Sequence, residues 1–261
     1  MLVPYTSSLV HINLLFENLN EYRCSGLYCD LRFVVDGQEF ACHRVIVASS
    51  STYFQALLTH PFKETHLDSI ELHDVQPQIF SLLLCYVYSG HIDIGDHNVY
   101  DLLIASNMFQ LEEVAQFCCH YLSISLNEGN VLETWKLAHE LDRCSLQADA
   151  EQYLLTHFRE LIRRDVLQQF PRSLLIQLIS NDELIVDNEQ QVLEAILIWY
   201  ASNHEQPVEQ LFDKVRLEYI SKEHQNVILQ QIGFVRIARS SNEGHPHLPH
   251  RLDGRERHRS Y

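Results

Sequence analysis

A small α+β domain built on a three-stranded sheet, an all-α helical domain behind it and a disordered tail form the fold class that three features predict. Strand-like alternation is confined to the first third of the chain. Helical spacing runs through nearly all of the rest. From Ser241 onward there is no apolar period, and Gly244, Pro246, Pro249 and Gly254 interrupt the chain. The expected limits are residues 9–126, 127–232 and 233–261, and 261 residues suit two ordinary domains.

The first helix is read from "LVHINLLFENLNEY", where Leu9, Ile12, Leu15, Phe16 and Leu19 recur at helical spacing. Val10 and Leu14 widen the apolar surface, so this helix should cover its own core and also meet something else. In "DLRFVVDGQEFACH", Leu31, Phe33 and Val35 alternate with their neighbours. Asp36-Gly37 then makes a hairpin turn, because both residues tolerate positive φ, and Phe40 and Cys42 continue on the return strand. Two short helices follow in "HRVIVASSSTYFQALLTH", the second capped by Ser50 or Ser51. "DSIELHDV" is the third strand, with Ile70 and Leu72 on one face. Three helices come next, the first with Pro77 in its opening turn and Gly90 just past its end. Strands early and helices late indicate an α+β unit.

Beyond Asn127 the pattern is helical throughout. Val131, Trp135, Ala138 and Leu141 recur at helical intervals, as do Ala150, Leu154 and Phe158. "SLLIQLI", "NEQQVLEAILIWYASN" and "PVEQLFDKVRL" extend a helical series with short connections, and "NDELIVDN" reads as a loop with a short extended piece.

Composition narrows the function. The hydrophobic fraction of 46% supports a real core, and a net charge of −16 repels phosphate backbones, so nucleic acid is not the expected partner. From Ser241 onward the chain carries four arginines against three acids, a net of +1, which leaves −17 on the remainder. No eighteen apolar residues run together and no basic n-region opens the chain, so neither a membrane span nor a signal peptide is expected. Seven cysteines without framework spacing indicate reduced thiols, hence a cytoplasmic or also nuclear setting. Cys118-Cys119-His120 falls in a helical pattern, where successive residues diverge, so packing explains it better than a metal. His245, His247 and His250 could share a metal only weakly, since a flexible chain loses ordering entropy on binding. The serines Ser49 to Ser51 lack the glycine-rich loop of a phosphate cradle. No Gly-x-Ser-x-Gly elbow exists, and no nucleophile, base and oxyanion donors come together, so no catalytic residue and no cofactor is expected.

One stretch resists a purely structural reading. In "HPFKETHLDSIELHDV", Phe62 has polar or proline neighbours and Glu64 follows two residues later. An aromatic ring supplies large contact area at low entropic cost, and a carboxylate beside it can bind N–H groups. Asp30, His43 and Arg44 flank the hairpin and form a polar cluster in which a buried carboxylate would require a partner, with Arg44 or His43 the candidates.

The run "YCDLRFVVDGQEFACHRVIVASSSTYFQALLTHPFKETHLDSIELHDVQPQIFSLLLCYVYSGHIDI" resembles the BTB/POZ domain of kelch-like proteins. The resemblance is carried by Cys29-Asp30, His43-Arg44, Ser51-Thr52-Tyr53-Phe54, Glu71-Leu72, Asp74-Val75 and Tyr88-Ser89-Gly90, and with the helical half it extends over residues 9 to 230 as a BTB domain followed by BACK. It implies an adaptor that homodimerises and binds the cullin-3 scaffold of a ubiquitin ligase. Phe62-Lys63-Glu64 matches the family's hydrophobic-x-Glu motif, and Tyr53 would line the same surface. Val10, Leu14 and Leu15 on the first helix, with Asp30, His43 and Arg44, would lie at the dimer interface. The family's kelch propeller is not expected, because no propeller-length sequence follows Gln231, and BACK itself looks cut short. Unproductive scaffold binding, cargo recruitment through BACK and pairing with a longer BTB homologue therefore stay open for an unknown protein substrate. The runner-up is a BTB module in transcriptional repression or cytoskeletal assembly without a ligase. Zinc-finger spacing, usual in such repressors, is absent.

Overall fold

A computed structural model of the protein describes residues 9–59, 68–164, 166–203, 208–216 and 220. The chain divides into two compact units, one of residues 1–125 with Ala138–Leu146, the other of Leu126–Leu137 with residues 147–261. Phe62 and Glu64, and the tail expected to be disordered, lie outside the described residues.

In the first unit, α1 (Leu9–Ser25) precedes a hairpin of β1 (Leu31–Val35) and β2 (Gln38–Cys42). Asp36 and Gly37 take φ of 46° and 79°, the conformation a tight I′ turn demands, so Leu31 pairs with Cys42 and Val35 with Gln38. The alternation read from the sequence holds: Leu31, Phe33 and Val35 are buried while Arg32 faces out. α2 (Arg44–Ser50) and α3 (Thr52–Thr59) come next; Ser51 is the residue that caps α3, its Oγ accepting from the Phe54 N–H at 3.1 Å. β3 (Ser69–Leu72) lies parallel to β1, with Phe33 opposite Ile70, and the sheet order is β2-β1-β3. A parallel neighbour needs a crossover, and the stretch holding α2 and α3 is that connection.

The sheet's inner face meets α4 (Pro77–Ser89), whose first turn holds Pro77 and whose end is closed by Gly90 at φ 70°. Phe33, Phe40, Phe54, Phe80 and Phe109 form an aromatic cluster with centroids 5.1–5.9 Å apart, largely edge-to-face. α5 (Val99–Met108) packs on α6 (Glu112–Ile124), and α1 packs on α4.

The second unit contains most of α7 (Val131–Glu140) and α8 (Cys144–Thr156), then α9 (Phe158–Ile162), a 3₁₀ turn at Val166–Gln169, α10 (Arg172–Ser180), α11 (Glu189–Ser202) and α12 (Glu209–Phe212). Its core includes Trp135, Leu154, Phe158, Leu175, Ile196 and Trp199. Trp199 is fully enclosed and its indole N–H donates to the Phe170 carbonyl at 2.9 Å, so its polar atom is satisfied. Asn188 caps α11 by accepting from the Gln191 N–H. "NDELIVDN" is a loop without a strand, anchored by buried Leu184 and by the Ile185 N–H to the Leu155 carbonyl.

Candidate partner-binding site

α1 leaves much of its apolar surface in water. Ile12, Leu15 and Phe16 are 44%, 49% and 41% exposed, and Leu14 is 52% exposed. The Val10 side chain is not among those described. The spacing 12, 15, 16 marked an apolar face correctly, but within one subunit α4 covers too little of α1 to bury it. A cluster of large apolar groups left in water on one helix is the kind of surface that marks an interaction site.

The C-terminal end of α1 is held by polar groups instead. His43 is buried, and its backbone N–H donates to the Tyr88 hydroxyl oxygen at 2.8 Å. Its Nε2 lies 3.1 Å from the Leu27 carbonyl, which can only accept, so in the neutral ring Nε2 carries the proton and Nδ1 accepts from the Tyr88 hydroxyl at 2.9 Å. The Arg23 guanidinium lies 5.2 Å from the centroid of the Tyr88 ring. Burial pushes the Tyr88 hydroxyl well above the usual tyrosine range, which keeps it a donor. Asp30 is not the buried carboxylate expected, although Arg44 is its partner. It is exposed, and its Oδ1 accepts from the Arg44 backbone N–H at 2.7 Å. It therefore supplies a negative charge to the first turn of α2, where His43 provides no side-chain cap. The sequence brings Asp30, His43 and Arg44 together as read, but through the backbone and through Tyr88, a partner the sequence reading missed because it sits inside the apolar run of α4.

Tyr53 occupies the first turn of α3 and is half-buried. Its ring meets Phe54 and Phe109 edge-on at 5.3 and 5.4 Å, and burial raises its hydroxyl above the usual range. The neighbouring Thr52 hydroxyl donates to Gln110 Oε1. One turn after α5 therefore props up the start of α3 twice, through Phe109 and Gln110. Beside it is a polar cleft of about 680 Å³ lined by Ser49, Thr52, Gln55, Gln110, Glu112 and Arg143, among others, all in the first unit. Phe62 and Glu64, in the stretch that follows α3, lie outside the described residues.

Among the described residues, no group of three His, Cys, Asp or Glu side chains is placed to hold a metal, and no helix is long and apolar enough to cross a membrane. Cys118 is fully buried on α6, with its thiol pushed up to about 12 by burial.

Comparison with known proteins fits this geometry. A family model described as the BTB/POZ domain matches residues 19–126, and one described as BTB And C-terminal Kelch, the BACK domain, matches residues 131–230. The chain belongs to the BTB–BACK family. Among its relatives are Kelch-like ECH-associated protein 1A from Danio rerio, 33% identical over 193 residues, covering 72% of this chain and 32% of that protein. Kelch-like protein 3 from Homo sapiens is 32% identical over 222 residues, covering 84% of this chain and 38% of the relative. Kelch-like protein 17 from Homo sapiens is 31% identical over 216 residues, with shares of 82% and 34%. The chain thus spans about a third of the length of the curated relatives it matches. Within the first unit, the exposed face of α1 and the Tyr53 turn are two separate candidate surfaces, one apolar and one mixed.

Proposed function

We propose that this BTB–BACK chain is a non-catalytic adaptor that homodimerises through α1 and binds the cullin-3 scaffold of a RING-type ubiquitin ligase, bringing to it a protein substrate. Its setting is the cytoplasm, with the nucleus as a second location, in keeping with its free thiols. Cargo would reach the complex through BACK or through pairing with a longer BTB homologue.

The observation that carries this reading is the placement of Tyr53. A half-buried aromatic is fixed at the head of α3, and the chain that continues from α3 holds Phe62-Lys63-Glu64. The family resemblance assigns those residues to scaffold docking. Physically, an apolar anchor with a neighbouring carboxylate has the composition of a binding hot spot. The apolar face of α1 supports the dimer. Burying it against a second copy is worth roughly 25 cal/mol per Å² before association costs. Asp30, His43 and Arg44 would then position the end of α1 and the start of α2 for that contact.

Calorimetric titration of the full chain with the N-terminal region of cullin-3 tests the reading. The expected result is micromolar or tighter binding that is largely lost in Phe62→Ala and in Glu64→Lys. Full-strength binding by both variants, or no binding by the parent chain, overturns the ligase assignment and leaves the assembly-module reading.

A further inference from the structure

The Ala138–Leu146 segment clusters with the BTB unit, and one side chain fastens it there. Arg143 Nη1 donates to both carboxylate oxygens of Glu112, at 2.8 and 3.0 Å, and Nη2 donates to Asn107 Oδ1 at 2.7 Å. The Arg143 side chain is only 17% exposed, whereas Glu112 is 60% exposed. The backbone presents it deliberately. The Arg143 N–H closes on the Ala138 carbonyl at 2.8 Å and the Asp142 N–H on the His139 carbonyl, the pairing of a Schellman turn, with Asp142 at φ 53° in the position that usually holds glycine. A two-oxygen clamp plus a third bond fixes the orientation of a planar guanidinium in a way a point charge cannot.

Asn107 belongs to the same short stretch as Phe109 and Gln110. Those two residues prop up Tyr53 and Thr52. One run of four residues therefore joins the Arg143 turn on one side to the head of α3 on the other, and the polar cleft lies between them. We propose that Arg143 is a positioning residue for partner binding: clamped to Glu112 and Asn107, it holds the Ala138–Leu146 turn and the 107–110 platform in fixed register, and so sets the shape of the cleft beside Tyr53. The proposal rests on the scaffold-binding reading of that face. Nothing in the sequence flagged it, because Arg143 and Glu112 are 31 residues apart and each reads alone as a solvated charge.

The test is binding of this chain to the cullin-3 N-terminal region, with near-ultraviolet circular dichroism and thermal melting recorded for each variant. Arg143→Met is expected to bind about tenfold more weakly, in the range of coupling seen between directly bonded charged partners. Arg143→Lys should regain only part of that loss. The exchange Glu112→Arg with Arg143→Glu should recover more than either single change, because the pair acts on itself and not on the partner. Hydrogen exchange at residues 138–146 should speed up in Arg143→Met and be restored by the exchange. Arg143→Met that melts lower but binds with parental affinity shows a purely structural role and overturns the proposal. Failure of the exchange to recover any binding, although residues 138–146 regain slow hydrogen exchange, shows that Arg143 touches the partner directly and also overturns it. A parent chain that does not bind removes the adaptor reading itself, a result distinct from both.

Discussion

α1 and α11 look alike in the sequence and differ in the folded chain. Each carries apolar residues at helical spacing, three or four to a face. α11 buries Val192, Leu193, Ala195, Ile196 and Trp199 inside its own unit, whereas α1 leaves Ile12, Leu14, Leu15 and Phe16 in water. Apolar periodicity states that a face requires cover; it does not say whether the same chain supplies it. For α11 the cover is local, and the Trp199 indole even finds its carbonyl there. For α1 the cover from α4 is partial, and polar contacts hold its C-terminal end, where Arg23 lies over Tyr88 and His43 binds Leu27. The remainder of the face, Ile12 to Phe16, is in water, and the proposed dimer would cover it.

The largest expected effect lies on the buried side of this contrast. Trp199→Ala should cost about 3–5 kcal/mol and lower the melting transition, since it removes a fully enclosed ring and strands a carbonyl. The paired change Leu14→Glu and Leu15→Glu should act oppositely. It should split the dimer while leaving each subunit's melting curve nearly where a monomer's would be, because these side chains are half-exposed already. Loss of folding in that variant would mean α1 is needed for the subunit itself. Tyr88→Phe falls between the two. It removes the hydroxyl shared by the His43 N–H and ring, at about 1–3 kcal/mol, and should speed hydrogen exchange at the C-terminal end of α1 first.

Thiol chemistry sharpens the same inside–outside contrast. Cys24 and Cys144 are exposed and should react first with a thiol reagent. Cys42 and Cys118 are buried, with thiols pushed up to about 12 chiefly by desolvation, and should react only after unfolding. The smallest effect is electrostatic. The hydrogen bond from Arg143 holds the Glu112 carboxyl below its ordinary range. Its folded value is depressed, so its contribution is present above the unfolded value and fades as pH falls through the folded one. Because Glu112 is largely exposed, the loss should be well under about 1 kcal/mol, visible as a slight steepening of acid unfolding that Glu112→Gln abolishes.

What could be read in the sequence was the local chemistry. Asp36-Gly37 marked the hairpin, Pro77 and Gly90 bounded α4, and one of two adjacent serines capped α3, because each signal acts within a few residues of itself. The three strands were visible, but the parallel pairing of β3 with β1 was not, since it joins segments separated by a crossover. That Asp30 is exposed and bonds to the Arg44 backbone was not legible, because a helix N-terminus leaves no mark on the residue identity. The Arg143 clamp and the role of Tyr88 were invisible for the same reason: the partners are distant in the chain, and nothing in either residue type announces the other.

Mass measurement by light scattering, first on the chain alone and then with the cullin-3 N-terminal region, addresses the adaptor dimer most directly. The account predicts the mass of two 30.5 kDa chains, rising on titration by the mass of two scaffold fragments. A species that stays at one 30.5 kDa chain at high concentration, or a dimer whose mass is unmoved by the scaffold, would contradict it.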